Sequence, residues 1–145
     1  MKEIESILRQ VLSNTFLVYF KTHAFHWNVT GMNFQQMHDF FGSLYEDLHR
    51  SVDVLAEEIR ALDEFAPRSL SEMYTYSTLG ESSAAGSDVA AMLTETLNNI
   101  EVLIDDHNLL FRDATNYNKQ GLADYAAGRI DELNKWRWKI KSFLG

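Results

Sequence analysis

The chain has 145 residues, which fits one domain with one substantial core and needs no covalent staple. Cys is absent, which excludes a disulfide framework and any thiolate metal site, and suits a reducing cytoplasm. A formal net charge of −8 repels nucleic-acid phosphates and attracts cations, so metal is favoured over DNA as a partner before any motif is read. No apolar run approaches the roughly 20 residues of a membrane span. The opening MKEIESILRQ has early acids and no continuous apolar stretch, unlike a secretory leader.

A single proline, Pro67, leaves long helices uninterrupted, and apolar periodicity near about 3.6 residues predicts four of them. Helix A is expected from about Lys2 to His26, with Ile4, Ile7, Leu8, Val11, Leu12, Phe16, Tyr19 and Phe20 on its apolar face. Asn28 to Gly31 should end it, Gly31 supplying a left-handed cap. Helix B is expected from about Asn33 to Leu62, on Phe34, Met37, Phe41, Leu44, Leu48, Leu55, Ile59 and Leu62. The following stretch from Asp63 to Gly86 is long enough to cross the bundle, with a short helix over Leu70 to Thr75. Helix C should begin at Ser87 or Asp88, either a good N-cap, and carry Val89, Met92, Leu93, Leu97, Ile100, Leu103, Ile104, His107 and Phe111. Helix D is expected from about Leu122 to Phe143 after a short turn over Asn116 to Gln120. Two antiparallel hairpins joined by one long crossover form the ferritin-like connection of an all-α four-helix bundle, here a single domain over residues 1–145.

Helix B carries a second stripe: His38, Gly42, Glu46, His49, Asp53, Glu57 and Arg60 recur every three or four residues. A solvated charged face would look the same. Two features favour metal. His38 borders the apolar stripe, and Asp53 and Glu57 stand one turn apart, so both can reach one cation. His38 and Asp53 are separated by about 22 Å of helix rise, too far to share an ion within one subunit. An antiparallel copy of helix B would bring His38 of one chain to Asp53 and Glu57 of the other. The symmetry axis would cross near Glu46, giving an isologous dimer with two equivalent sites.

The run His26-Trp27-Asn28-Val29-Thr30-Gly31, followed by Phe34, Met37-His38, Phe41, Tyr45 and then Asp53 to Arg60, resembles the signature of the Dps, or miniferritin, family. Ala66-Pro67 and the closing segment Trp136 to Leu144 extend that resemblance over essentially the whole chain. It implies an inter-subunit ferroxidase site, with His26 and His38 from one subunit and Asp53 and Glu57 from its partner. Asp53 is then the candidate bridge between two irons, Glu57 and His26 are terminal ligands, and His38 completes the second position. Trp27 would lie beside the site. The resemblance further implies a hollow homododecamer built from two-fold dimers, which oxidises Fe(II) preferentially with hydrogen peroxide rather than O2, stores Fe(III) mineral and protects against oxidative stress. Zn(II) or Mn(II) could occupy the same ligands.

The sequence departs from the family pattern twice. Gly42 stands where an acid is common, four residues after the second His, and Gln120 stands where a pore acid is usual, although Asp124 matches one.

Other residues invite alternatives. Glu46-x-x-His49 matches half of the motif pair used by larger di-iron bundles, and without the second half it reads as interface or cavity lining. His23 reads as a hydrogen-bonded structural imidazole or an added ligand, and His107 as a core histidine. Trp136 and Trp138 read as packing, and Arg60 as a partner of a site carboxylate or of some other surface acid. The basic run Lys135 to Lys141 fits the dipole preference of a helix C-terminus better than a DNA-binding tail, so DNA binding is not expected, and a DNA-compacting structural protein is the alternative to the ferroxidase.

Overall fold

The computed structural model describes residues 1–81 and 88–145. They form five helices: α1 (Lys2–Asn28), α2 (Phe34–Ala61), α3 (Leu70–Thr75), α4 (Val89–Asn116) and α5 (Gln120–Leu144). α1 packs along α2 and α4 along α5, while α1 also lies against α4 and carries the short α3. This is the expected two-hairpin bundle with a long crossover.

Local chemistry sets the helix ends. Asp88 caps α4 by accepting from the Ala90 N–H at 3.1 Å; the other candidate, Ser87, lies outside the described residues. α2 and α4 both end in the paired hydrogen bonds of a Schellman turn. Asp63 and Asn118 take the left-handed position at φ 66° and 59°. Glu64 N–H then donates to the Ile59 carbonyl, and Lys119 N–H to the Ala114 carbonyl. α1 runs two residues beyond its expected end. Val29 then extends into the core, and Gly31 makes the turn at φ 114° rather than capping the helix directly. α5 starts two residues earlier than expected, at Gln120.

Two apolar clusters fill the bundle. Ile4, Leu8, Val11, Leu12, Leu55, Ile59, Leu110 and Ala126 make one end. Val18, Phe25, Val29, Met37, Phe41, Leu44, Leu48, Ile100, Leu103 and Leu133 make the other. Three aromatics expected on apolar faces (Phe20, Phe34 and Phe111) are exposed instead. They sit at the margins of their stripes, where the 3.6-residue period drifts away from the core.

Polar contacts fix the registers. Arg129 of α5 is buried and grips Asp47 of α2 through both terminal nitrogens at 3.1 and 3.0 Å, while the Trp136 indole donates to the same carboxylate at 3.2 Å. Removing one partner of a buried pair costs about 3–5 kcal/mol, so this contact holds α2 firmly against α5. Buried Asn14 accepts from the Thr78 and Leu79 N–H groups and donates to Asp106 at 2.7 Å, tying the crossover to α1 and α4. Burial raises the Asp106 carboxyl above its ordinary range, while Asn14 and Gln10 bond it and partly offset that rise.

Candidate metal centre

His26 lies in the last turn of α1 and His38 in the second turn of α2, and the short turn between the helices brings them face to face. The two imidazoles stack with centroids 3.7 Å apart and planes inclined by 17°. Each ring bonds the other residue's backbone. His26 Nδ1 lies 2.7 Å from the His38 carbonyl oxygen, and His38 Nδ1 lies 2.7 Å from the His26 carbonyl oxygen. A carbonyl oxygen only accepts, so Nδ1 carries the proton in each ring. Each neutral ring therefore keeps its lone pair on Nε2, the state a metal-binding imidazole requires. The His26 carbonyl belongs to the last turn of α1, which has no helical partner for it, so His38 also caps that helix.

Aromatic rings flank the pair. Phe34 stacks on His38 at 5.0 Å, and Tyr45 stands 5.2 Å from His26. His23 is stacked on Tyr45 at 3.8 Å and bonded to the Tyr19 hydroxyl at 3.1 Å, which supports its structural reading. Partial burial lowers the His23 pKa, and the neighbouring His26 and His49 imidazoles lower it further. Trp27 follows His26 in the chain, but its ring lies on His23 at 4.1 Å and is half exposed. Sequence reading missed Tyr19 as a partner of His23. The spacing of four residues from Tyr19 to His23 and again to Trp27 was the available signal.

Asp53 and Glu57 project from the exposed face of the second half of α2. Among the described residues, no three or more His, Asp or Glu side chains of one chain converge on a point that could hold a metal. The structure thus unites His26 with His38 and leaves Asp53 and Glu57 apart from them. Glu46 and His49 are exposed too, His49 packing on the Tyr19 ring at 4.8 Å. Arg60 donates to the Glu64 carbonyl at 2.9 Å and covers the Phe65 ring, rather than pairing with a site carboxylate. His107 is a core histidine: it is buried, its Nδ1 donates to the Leu103 carbonyl at 2.7 Å, and burial pushes its pKa down to about 4.

A ferritin-like domain family matches residues 5–145. DNA protection during starvation protein 2 of Bacillus anthracis is 25% identical over 99% of this chain and 97% of its own. The crystal structure of Dps from Staphylococcus aureus superposes with a TM-score of 0.93 at 28% identity, covering 100% of this chain and 97% of that one. The chain belongs to the Dps family of ferritin-like proteins. The Dps protein of Vibrio cholerae, described as a member of a broad superfamily of ferritin-like diiron-carboxylate proteins, shares the fold. Its TM-score is 0.94 at 23% identity, covering 99% of this chain and 90% of that one.

Within the Dps pattern the two departures are now placed. Gln120 is the first residue of α5, and Asp124 is exposed one turn later. Gly42 lies on α2 directly beside the His26 ring. Three cations of the basic C-terminal run have partners, of which Arg137 alone reaches another helix. Lys135 pairs with Asp131, Arg137 with Glu101 at 3.0 Å, and Lys139 stands over the Trp136 ring.

Proposed function

We propose that this Dps-type chain is a ferroxidase and iron store whose metal sites are shared between two subunits. The reciprocal bond between His26 and His38 carries this reading, because it holds two imidazoles with their Nε2 lone pairs available. Asp53 and Glu57 of a second copy, related by a two-fold axis near Glu46, would supply the carboxylates that bind Fe(II) as substrate and favour the Fe(III) product. An apolar groove of about 570 Å³ between α1 and α3, lined by Phe16, Phe20, Ala24, Leu70, Met73 and Tyr74, gives α1, which packs along α2, an apolar surface for a protein partner. A second copy fills that role in a two-fold dimer, and such dimers build the dodecameric shell.

The reaction is the two-electron reduction of hydrogen peroxide. Two Fe(II) give one electron each, the O–O bond breaks, and two protons complete two waters. Consuming iron and peroxide together prevents hydroxyl radical formation and so protects against oxidative stress. The chain's own part is to place the ligands. Its imidazoles are fixed in one tautomer, and its carboxylates stand one turn apart on a rigid helix.

The test is anaerobic Fe(II) loading followed by a stoichiometric peroxide pulse, with ferric absorbance followed in wild type and in Asp53→Ala/Glu57→Ala. Fast oxidation in wild type that is lost in the assembled variant is expected. Equal rates in both would move the site to Glu46 and His49, and no oxidation in wild type would refute the activity. The name of the Bacillus anthracis relative suggests a second reading, DNA protection by binding, but the net charge of −8 opposes it.

A further inference from the structure

Gly42 is a costly residue to keep in the middle of a helix, since only Pro is a poorer helix former. Its backbone does not need glycine. Among the described glycines only Gly31 and Gly145 adopt positive φ, and Gly42 is ordinarily helical. What it provides is space. A Cβ at position 42 would lie 3.2 Å from both Cε1 and Nδ1 of His26, inside the ordinary carbon contact distance. Gly31, Gly80, Gly121, Gly128 and Gly145 have nothing within 4 Å of the same position. Gly42 also stands one helical turn after His38, on the face that the His26 ring must approach to reach the His38 carbonyl. A side chain at position 42 would therefore crowd the ring that makes the 2.7 Å bond from His26 Nδ1, which would have to give by a few tenths of an ångström.

We propose that Gly42 positions the imidazole pair and sets the metal preference of this site. By lacking a Cβ it admits the His26 ring against α2 and locks it as an Nε2 donor. Where the family pattern often has an acid, position 42 has no side chain, so this half of the site offers imidazoles without a carboxylate. Such a donor set favours borderline divalent cations such as Zn(II) and Co(II), relative to the harder Mn(II), more than a carboxylate-bearing version would. The inference rests on the proposed His26–His38 metal site.

The experiment compares the assembled, metal-free oligomers of wild type, Gly42→Ala and Gly42→Asp by titration with Co(II), Zn(II) and Mn(II), alongside urea unfolding and a metal-free crystal structure of Gly42→Ala. Gly42→Ala should lose at least about tenfold in Co(II) and Zn(II) affinity, the scale seen when the partner that orients a ligating imidazole is disturbed. Its urea midpoint should stay level or rise, which separates positioning from folding. Gly42→Asp should lower the ratio of Zn(II) to Mn(II) affinity. In crystals of Gly42→Ala the His26 ring should be displaced from the His38 carbonyl. Unchanged Co(II) affinity in Gly42→Ala, or a ring still bonded at its original distance, would overturn the role of Gly42. Failure of wild type to bind Co(II) or Zn(II) would overturn the metal site and the preference with it. The ring position in Gly42→Ala would then still decide whether Gly42 orients His26.

Discussion

Sharing of each site between subunits makes a quantitative prediction for mixed oligomers. One variant, His26→Ala/His38→Ala, loses the imidazole half of every site. The other, Asp53→Ala/Glu57→Ala, loses the carboxylate half. Neither homo-oligomer retains a complete site, and both should fail to give ferric absorbance after the peroxide pulse. A heterodimer is different: one of its sites collects both damaged halves, and the other collects both intact halves. Random pairing of equal amounts makes about half of the dimers mixed, so about one quarter of the wild-type sites return. Co-expression provides the mixing, and size-exclusion chromatography confirms assembly. The reasoning depends on the about 22 Å of helix between His38 and Asp53, which no side chain can span. Absence of recovery in assembled, mixed oligomers would refute the shared site, as would full activity in either parent.

Burial of His107 should appear in the pH dependence of stability. Its folded pKa is about 4, against 6.5 when unperturbed. Between those values the unfolded chain takes the proton and the folded one does not. Stability is therefore fully present above about pH 6.5 and falls as the pH drops toward about 4, a loss of roughly 3 kcal/mol from this group. Urea midpoints of wild type and His107→Phe should converge or cross over that window, whereas parallel profiles would refute the assignment. DNA should not be bound. A gel shift at low protein concentration, physiological salt and no added divalent metal is expected to show free DNA only, and a retarded band would contradict the electrostatic reading.

Apolar periodicity was enough to place the four long helices, because a bundle buries one stripe of each and the rest of its surface tolerates polar residues. Asp88 was legible as a cap for the same local reason, that its side chain serves an N–H two residues away. Helix rise alone separated His38 from Asp53, since it depends on no contact. Other features needed the packed chain. Phe20 and Phe34 look apolar in sequence but are exposed, because stripe margins are settled by where the neighbouring helix lies. Arg60 is one turn from Glu57 yet bonds the Glu64 carbonyl, because the Schellman end of α2 brings that oxygen within reach. The bond between His26 and the His38 carbonyl joins residues on two helices and depends on their registry to within an ångström. Gly42 was visible in the sequence only as a missing acid. Its proximity to the His26 ring is a property of two packed helices, and no spacing along one chain encodes it.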